Sequence, residues 1–489
     1  MGLYIIGCSP SQTEEGQVER NELFRPQFHF TPPSNWMNDP NGMVYLDGEY
    51  HLFYQHNPND KVWGPMHWGH AISKDLVHWE DLPIALYPDS LGTIFSGSAV
   101  YDHHNTSGLG NKENPPLVAI FTHHDGESAE QGAEDFQTQS LAYSTDKGRT
   151  WVKYTGNPVL PNPGIRDFRD PKVHWHEASQ KWVMALAVQD VIHFYSSPNL
   201  INWMLESTFG KNIGAKSGVW ECPDLFPVVA DDGSTRYVLL VSINPGGPNM
   251  GSATQYFVGD FDGKDFTSQD SLVRWLDYGP DNYAGVTWSN LPSETNGPIF
   301  LGWMSNWQYA NATPTAPWRS AMTVPRTLSL EKTSNGYQIL AQPLHALNQL
   351  RGERMEVTDG IKLNNLPGTF EVGLNGAEWP TVINIENSLG ETLAIRFDED
   401  QVVVDRTQAG LADFHPEFAR TITATMPLEQ NTTKLMTLLV DHSSVELFVD
   451  AGRLVLTTRV FPQEPYNSIT VQGSQGWIYP LQSIWPKAN

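Results

Sequence analysis

Cysteine is scarce in this chain of 489 residues, which has only two, Cys8 and Cys222. Cys8 lies near the N-terminus and Cys222 directly follows a glutamate, so we expect no intramolecular disulfide. No cysteines and histidines have the spacing of a zinc site, and the histidine pairs at residues 103–104 and 123–124 are typical of loops or strand ends. The sequence therefore predicts neither a bound metal nor a cofactor.

Basic residues and long apolar runs are also few. Lys and Arg number 30 against 55 Asp and Glu, which gives a net charge of -25. This charge argues against nucleic acid as a partner, because phosphates require basic surfaces, and it disfavours an anionic membrane surface. No stretch approaches the roughly 18–20 apolar residues that a membrane-spanning helix needs. The composition thus favours a neutral or cationic ligand, although solubility alone also explains the acidity.

The N-terminal residues have a pattern of their own. An apolar run at residues 3–6 leads into Gly7 and Cys8 and is followed by polar residues 9–20, as at the end of a bacterial lipoprotein signal. On this interpretation Cys8 carries a lipid and residues 1–21 form a flexible tether. The protein would then be an extracytoplasmic lipoprotein of a bacterium, at the cell surface or in the periplasm. The alternative is a leader without function.

Strand patterns and aromatic residues are abundant from about residue 24 onward. Trp, Tyr and Phe number 17, 17 and 21, which suits either stacking on sugar rings or a β-rich core. Asp47 and Gly48 separate two strand patterns and predict a hairpin. A loose repeat, which turns on Asp or Asn and ends in Trp, occurs at residues 73–79, 144–151 and 197–203. These intervals predict blades of a β-propeller, and about five blades fit before residue 340.

The pattern changes after the repeats. Pro343 suits a first helical position, and the leucines that follow at spacings of three predict a linker helix over residues 343–354. Alternating apolar residues at 393–397 and 445–449 predict half-buried antiparallel strands. We therefore predict an all-β protein. Its parts are a tail (1–21), a five-bladed propeller (22–342), the linker helix and a β-sandwich (355–489).

Three acidic segments interrupt the strand patterns, at residues 36–42, 166–171 and 220–224. Each places a carboxylate beside an aromatic residue, an arginine or a proline, although a surface turn is the alternative for the first. The three acidic segments, Ser96 and the region of Trp288 follow one another along the chain at intervals of about one blade. Equivalent positions on innermost strands converge at a propeller's axis, so we expect these residues to meet in one cavity. Paired carboxylates are what cleavage of a glycosidic bond requires.

At these residues the chain resembles glycoside hydrolase family 32, the β-fructosidases. The motifs that match, in the order and at the spacing of that family, are WMNDPNG (36–42), FYQHNP (53–58), FSGS (95–98), RDP (169–171), EC (221–222) and GWM (302–304). Residues 251–261 and 444–449 are similar as well. The resemblance runs from about residue 24 to the end and implies a five-bladed propeller followed by a β-sandwich.

The resemblance also implies roles for individual residues. Asp39 would be the nucleophile, Glu221 the acid/base and Asp170 the stabiliser of the transition state. The residues implied for binding fructose are Trp36, Asn38, Gln55, Trp63, Phe95, Ser96, Arg169 and Trp303. Retention then needs the carboxyl groups of Asp39 and Glu221 about 5–5.5 Å apart. We expect burial and the charges of Asp170 and Asp224 to raise the pKa of one carboxyl group, and Arg169 to keep Asp170 ionised.

These observations predict a retaining β-fructosidase that acts on fructan or fructo-oligosaccharide. The lipoprotein-like start favours levan or inulin over sucrose alone. Endo and exo attack both stay open, because the loops around the mouth of the propeller decide between them. A fructosyltransferase would use the same residues with a sugar in place of water. A non-catalytic fructan-binding protein would keep the aromatic residues but would not need both Asp39 and Glu221. The oligomeric state is not predicted.

Overall fold

Strands make up nearly all the regular structure of the computed structural model, which describes residues 20–375, 380–398, 400–425 and 435–485. Cys8 and residues 1–19 of the predicted tail lie outside the described residues. In the described chain the single α-helix, α1, is Gly126–Glu130, and two 3-10 helices span Ala310–Ala312 and His345–Leu350. None of these helices is long and apolar enough to cross a membrane.

Five successive sheets occupy the first two-thirds of the chain. Their strands are β1 (Asn35–Leu46), β2 (Glu49–Asn57), β3 (His67–Ser73), β4 (Glu80–Leu86), β5 (Thr93–Tyr101), β6 (Leu117–His124), β7 (Gln137–Ser144), β8 (Val152–Lys153), β9 (Phe168–His176), β10 (Lys181–Val188), β11 (Val191–Ser197), β12 (Met204–Phe209), β13 (Val219–Val229), β14 (Thr235–Asn244), β15 (Ala253–Phe261), β16 (Phe266–Ser268), β17 (Arg274–Trp275), β18 (Tyr283–Thr287), β19 (Ile299–Met304), β20 (Trp318–Arg319), β21 (Ala321–Met322), β22 (Arg326–Thr333) and β23 (Gly336–Pro343).

The sheets are the blades of a propeller. They comprise β1–β4, β5–β8, β9–β12, β13–β17, and β18, β19 and β21–β23, while β20 pairs in parallel with β1. The innermost strands β1, β5, β9, β13 and β18 each contact the next, and β18 contacts β1. This ring of contacts closes the five-bladed arrangement, and the predicted fold class is confirmed.

The repeated sequence pattern is the turn that leaves the third strand of a blade. Ser73, Ser144 and Ser197 are the last residues of β3, β7 and β11. The hydroxyl oxygen of each accepts a backbone N–H of the turn, at 2.7, 2.8 and 3.1 Å. The hairpin predicted at Asp47 and Gly48 joins β1 to β2, and both residues have the positive φ that such a turn requires, 49° and 89°.

The linker helix is present but is shorter than the predicted residues 343–354. Pro343 is the last residue of β23, and the helix is the 3-10 helix His345–Leu350. Its buried residues, Leu347 and Leu350, lie three apart and hence on one side of a helix with three residues per turn. The leucine spacing therefore fits the 3-10 helix that the structure shows.

Two six-stranded antiparallel sheets follow and form the sandwich. Their orders are β24-β35-β26-β31-β32-β33 and β25-β34-β27-β28-β29-β30. The strands are β24 (Met355–Val357), β25 (Lys362–Asn364), β26 (Phe370–Asn375), β27 (Thr381–Glu386), β28 (Thr392–Phe397), β29 (Gln401–Gln408), β30 (Thr421–Thr425), β31 (Met436–Asp441), β32 (Ser444–Val449), β33 (Leu454–Arg459), β34 (Ser468–Gln472) and β35 (Gln475–Pro480).

Burial differs between the two strands that we predicted to be half-buried. In β28 it alternates as predicted, with Leu393, Ile395 and Phe397 buried. In β32 all six residues are buried, so the prediction of a half-buried strand was wrong there. One side of β32 packs in the sandwich core, whereas Phe448 on its other side belongs to the core of the propeller. The sandwich therefore lies against the propeller along this strand.

A buried ionic cluster joins the propeller to the sandwich. His29 lies between two carboxylates, with Nδ1 2.7 Å from Asp441 Oδ2 and Nε2 2.8 Å from Glu446 Oε1. Arg326 pairs with Glu446 at 2.6 Å and with Asp277 at 2.9 Å. Because buried charges persist only when paired and hydrogen-bonded, this cluster fixes the position of the sandwich on the propeller.

We expect the free energy of unfolding to fall as the pH rises from 6.5 to about 9. Burial disfavours the charged imidazolium, but hydrogen bonds to Asp441 and Glu446 outweigh it and raise the pKa of His29 from 6.5 to about 9. The folded state holds the extra proton in this window, so stability that is complete below pH 6.5 is lost as the pH approaches 9. The loss should be on the order of 3 kcal/mol.

Thermal melts across this pH range test the assignment. His29→Gln should melt lower than wild type at the acid end and decline less with pH, because it carries no such proton. The matched control is His78→Gln, whose imidazole is half exposed beside Asp75 and should not alter the decline. A decline in His29→Gln parallel to that of wild type would contradict the assignment.

Candidate active site

A cavity of about 390 Å³ opens where the innermost strands begin. Asp39, Ser96, Asp170 and Glu221 lie near the N-terminal ends of β1, β5, β9 and β13 and face it. The cavity is lined by Asn38, Asp39, Gln55, Trp63, Phe95, Ser96, His124, Ala129, Phe136, Gln137, Arg166, Asp167, Arg169, Asp170, Glu221, Asn244 and Trp307. Three carboxylates that are distant in sequence thus meet in one place.

Every innermost strand is bulged at its site residues. Its pairing register with the second strand of the blade shifts at residues 37–40, 94–97, 169–172, 221–224 and 283–286. A bulge places extra residues opposite the partner strand, bends the bulged strand and re-aims its side chains. The five bulges therefore lie in the segments that bring the site residues to the axis.

Three of these bulges also contain strained backbone, and in the fifth blade the strained residue is Ala284, with a φ of 53°. Asp170 and Cys222 have φ values of 64° and 45°, in the left-handed region that residues other than glycine seldom adopt. The two residues support each other, because the backbone N–H of Cys222 donates to Asp170 Oδ2 at 3.1 Å. The backbone N–H of Asp170 donates to Thr122 Oγ1 at 3.0 Å. Strain of this kind persists only where neighbouring groups hold it, and it is concentrated at functional sites.

Asp39 is hydrogen-bonded through both carboxyl oxygens. Asn38 Nδ2 donates to Oδ1 at 2.9 Å and Ser96 Oγ to Oδ2 at 2.8 Å. Trp36 Nε1 donates to Asn38 Oδ1 at 2.7 Å and so fixes the orientation of the amide. Burial and then the charge of Glu221 raise the pKa of Asp39, whereas the two hydrogen bonds lower it.

Glu221 has a donor on each carboxyl oxygen. Arg169 donates from Nη2 and Nε to Oε1 at 2.7 and 3.1 Å, and the Tyr283 hydroxyl donates to Oε2. Arg169 also pairs with Asp167 at 2.6 Å. The guanidinium is therefore shared between two carboxylates, and the tyrosine completes the coordination of Glu221.

Asp170 is not held ionised by Arg169, and that expectation was wrong. Arg169 Nε lies 4.0 Å from Asp170 Oδ2, because the guanidinium engages other carboxylates more closely. Burial raises the pKa of Asp170 to about 7; Arg169 lowers it, but not enough to offset burial together with the charges of Glu221 and Asp39. Asp170 thus takes up a proton far more readily than an exposed aspartate.

Asp224 does not supply the free negative charge that we expected of it. Its Oδ2 lies 3.1 Å from Lys172 Nζ and accepts the backbone N–H of Thr287 at 2.6 Å. Asp224 and Lys172 are both buried, so the pair is close to neutral as a unit. The charge at the cavity therefore comes from the carboxylates that face it.

Nine of the eleven residues predicted for the site line the cavity. The exceptions are Trp36 and Trp303, whose side chains are fully buried. Their rings pack behind the cavity against Trp307, at centroid distances of 5.8 and 4.9 Å. Trp307 rather than Trp303 presents its ring to the cavity, so these two predicted residues support the wall and do not form it.

The sequence analysis missed several residues at the site. The fifth blade contributes Tyr283, whereas Trp288 lies past the far end of β18 and donates to His51 O at 2.9 Å. His124 and Asn244 line the cavity as the last residues of β6 and β14. These are second strands of blades, and the antiparallel pairing places their C-terminal ends beside the beginnings of the innermost strands. Strand order alone could have identified them.

Cys222 lies among the acids as a neutral thiol. Its Sγ is 3.7 Å from Asp39 Oδ2 and 3.6 Å from Asp170 Oδ2. Burial and then these carboxylates raise the pKa of the thiol well above its usual range. Across the described ranges, no group of three or more His, Cys, Asp and Glu side chains is arranged to hold a metal ion.

Two protein-family models together match almost the whole of the described chain. The model for the glycosyl hydrolases family 32 N-terminal domain matches residues 29–343, and the model for the family's C-terminal region matches residues 330–483. The chain belongs to glycosyl hydrolase family 32. The N-terminal match covers all five blades of this family 32 enzyme, and the C-terminal match covers its sandwich.

Known proteins that are similar to this chain in sequence and fold support the family assignment. The levanase of Bacillus subtilis is 46% identical over 95% of this chain and 71% of its own length. The extracellular exo-inulinase of Aspergillus awamori is 38% identical over 95% of this chain and 96% of its own length. A crystal structure of exo-inulinase from A. awamori covers 96% of this chain and 100% of its own, with 36% identity and a TM-score of 0.88.

A second solved structure is the β-fructofuranosidase of Schwanniomyces occidentalis complexed with fructosyl-erythritol. It covers 95% of this chain and 99% of its own, with 33% identity and a TM-score of 0.85. The family 32 assignment, the propeller and the sandwich therefore rest on sequence and on fold together.

We expect Tyr283→Phe to slow the glycosidase. The hydroxyl donates to Glu221 Oε2, and without it the carboxyl group loses one of the hydrogen bonds that hold its position. Its removal should lower kcat/KM on sucrose by about tenfold. Tyr154→Phe, at the edge of the second blade, is the control and should leave kcat/KM unchanged. An unaltered kcat/KM in Tyr283→Phe would show that the contact has no influence on Glu221.

Proposed function

We propose that the protein is a retaining β-fructosidase in which Asp39 is the nucleophile, Glu221 the general acid/base and Asp170 the stabiliser of the transition state. One observation carries this proposal: carboxylates from three different blades face a single cavity. Asp39 and Glu221 are close enough for the charge of one to raise the pKa of the other. Family membership supplies the type of bond, since the relatives are named levanase, exo-inulinase and β-fructofuranosidase.

The proposed reaction has two displacements at the anomeric carbon. First, a carboxylate oxygen of Asp39 bonds to this carbon while Glu221 gives its proton to the glycosidic oxygen, and the bond to the leaving group breaks. Then Glu221 takes a proton from water, whose oxygen displaces Asp39 and releases fructose. Two inversions retain the configuration, which requires a carboxyl separation of about 5–5.5 Å.

The charges at the cavity suit this proton transfer. Burial and neighbouring carboxylates raise the pKa of both Asp39 and Asp170. Groups that interact this strongly titrate together, so Asp39 and Asp170 in this cluster hold protons more readily than exposed aspartates do. Glu221, bonded to Arg169 and Tyr283, is the member positioned to deliver a proton to the leaving group in our proposal.

For the fructosyl ring we propose a subsite in the cavity. Its residues are Asn38, Gln55, Trp63, Phe95, Ser96 and Arg169, with Trp36 and Trp303 supporting the wall from behind. Gln55 Nε2 is buried and has no hydrogen-bond acceptor within the described chain, so it is available to a hydroxyl oxygen. Trp63 is 43% exposed and offers an apolar face to a sugar ring.

The substrate that we propose is a fructan, levan or inulin, with sucrose also cleaved. A neutral polyol suits an acidic chain of net charge -25, whose surface repels anionic polymers. An extracytoplasmic location is supported by relatives that are named extracellular. The finer proposal, a bacterial lipoprotein anchored through Cys8, rests on the sequence pattern and is tested by mass spectrometry for an acylated Cys8 in the native protein.

Asp39→Asn should abolish hydrolysis and leave the fold intact. Asn keeps the size of the side chain but cannot form the ester, so we expect kcat on sucrose and inulin to fall roughly 10⁴-fold or more. The raised pKa of Asp39 means that its ionised form costs stability above the ordinary aspartate pKa. The variant should therefore melt at or above the wild-type temperature at neutral pH.

Asp47→Asn, in the exposed turn after β1, is the matched control and should change neither activity nor melting. Near-normal turnover by Asp39→Asn would overturn the assignment of the nucleophile. A large fall in its melting temperature would instead show that the variant fails to fold.

On levan, inulin and sucrose we expect free fructose as the first product. Asp39 lies where the innermost strands meet, and a terminal fructosyl unit can enter such a cavity more easily than a unit substituted on both sides. Chromatography of early time points distinguishes the outcomes. A ladder of oligosaccharides from inulin would contradict attack from the chain end, and longer oligosaccharides at high sucrose concentration would indicate transfer in place of hydrolysis.

A further inference from the structure

A lateral groove of about 400 Å³ adjoins the cavity and has no part in the reaction proposed above. Cavity and groove share Trp63, Phe95, His124, Ala129 and Arg166. From this shared wall the groove runs between the connection of β2 to β3 in the first blade and α1 in the second blade. The groove thus continues the cavity toward solvent along one side of the propeller.

Aromatic side chains form the entrance to the groove. Trp63 is 43% exposed and meets Phe95 edge to face, with ring centroids 5.9 Å apart. Phe95 in turn stacks on His124 at 4.2 Å, with the two rings nearly parallel. Asn311 Oδ1 accepts the backbone N–H of Trp63 at 3.0 Å and helps to hold the position of the loop. An exposed tryptophan fixed beside a cavity is a surface on which a sugar ring can stack.

Arg166 provides a polar group at the same entrance. It is exposed, and its guanidinium carbon lies 5.6 Å from the centre of the Phe136 ring. Within the described chain it forms neither a salt bridge nor a hydrogen bond with the protein, whereas nearby Arg169 is paired with two carboxylates. A guanidinium has five N–H donors in a planar fork, so this side chain is free to bind hydroxyl oxygens.

We propose that this groove is a subsite for the sugar units of a fructan that follow the first two rings. The inference rests on the proposed function, because it places the scissile bond at Asp39 and Glu221. A disaccharide fits within the cavity, whereas a trisaccharide or longer chain extends past Trp63 and Arg166 into the groove. The groove's volume lies in the range of about 300–1,000 Å³ typical of small-molecule sites.

Gly126 offers a way to fill the groove without altering the cavity. It lines the groove but not the cavity, and a Cβ atom added there meets only the His124 ring, at 4.0 Å. The matched control is Gly352→Trp, where an added Cβ atom meets Pro480 at 3.4 Å. Gly352 lines neither the cavity nor the groove. Both glycines lack the positive φ that would make any side chain costly.

The experiment compares kcat/KM for sucrose, the trisaccharide 1-kestose and the tetrasaccharide nystose. Gly126→Trp should leave sucrose within about twofold of wild type and lower nystose about tenfold, mainly through KM. Arg166→Ala should weaken nystose more than sucrose as well. Gly352→Trp should leave all three values unchanged, and melting temperatures identify a variant that does not fold.

Two results would overturn the proposal: an equal change for sucrose and nystose in Gly126→Trp, or no change for either substrate in both groove variants. If Gly126→Trp does not fold, Arg166→Ala alone decides between these outcomes. Failure of the proposed function looks different, because wild type would then cleave none of the three sugars. A wild-type enzyme that hydrolyses all three while the groove variants show no selectivity for length overturns the groove alone.

Discussion

The active cavity depends on one backbone feature, the bulge that occurs near the start of each innermost strand. A regular strand sends successive side chains to opposite faces of its sheet, and neither face points along the propeller axis. The bulge breaks this alternation, so residues such as Asp39, Asp170 and Glu221 face the axial cavity. Positive φ at Asp170 and Cys222 is part of the same geometry, and the surrounding blades hold it in place.

The charges at the axis follow from that convergence. Bringing three carboxylates into a partly dehydrated cavity is unfavourable, and the raised pKa values of Asp39 and Asp170 express this cost. Arg169 offsets part of it at Glu221, and Lys172 neutralises Asp224 close by. Sites of this kind commonly sacrifice stability for reactivity. The energy that holds the arrangement comes from the apolar contacts between blades, where Trp36, Trp303 and many aliphatic side chains are buried.

The sandwich contributes a different kind of constraint. Its strand β32 is buried on both sides and carries Glu446 into the propeller, where His29 and Arg326 meet it. Replacing such a cluster by apolar residues is often neutral for stability, but removing one partner leaves an uncompensated buried charge. The cluster therefore specifies one docking geometry for the two parts. It lies apart from the cavity, whose lining comes entirely from residues 38–307 of the propeller.

The sequence by itself determined the features that are encoded locally. The repeated turns at residues 73–79, 144–151 and 197–203, the Asp47–Gly48 hairpin and the acidic motifs each depend on neighbouring residues. Their spacing was enough to predict five blades and three carboxylates at one axis. Only the tertiary structure decided which groups meet across blades. In the structure Arg169 pairs with Glu221 rather than with Asp170, and Tyr283 donates a hydrogen bond to Glu221. Trp307, not Trp303, lines the wall of the cavity. Strand β32 is buried on both sides. The physical reason is that side-chain direction and burial depend on bulges and on packing between distant segments, which local periodicity does not encode.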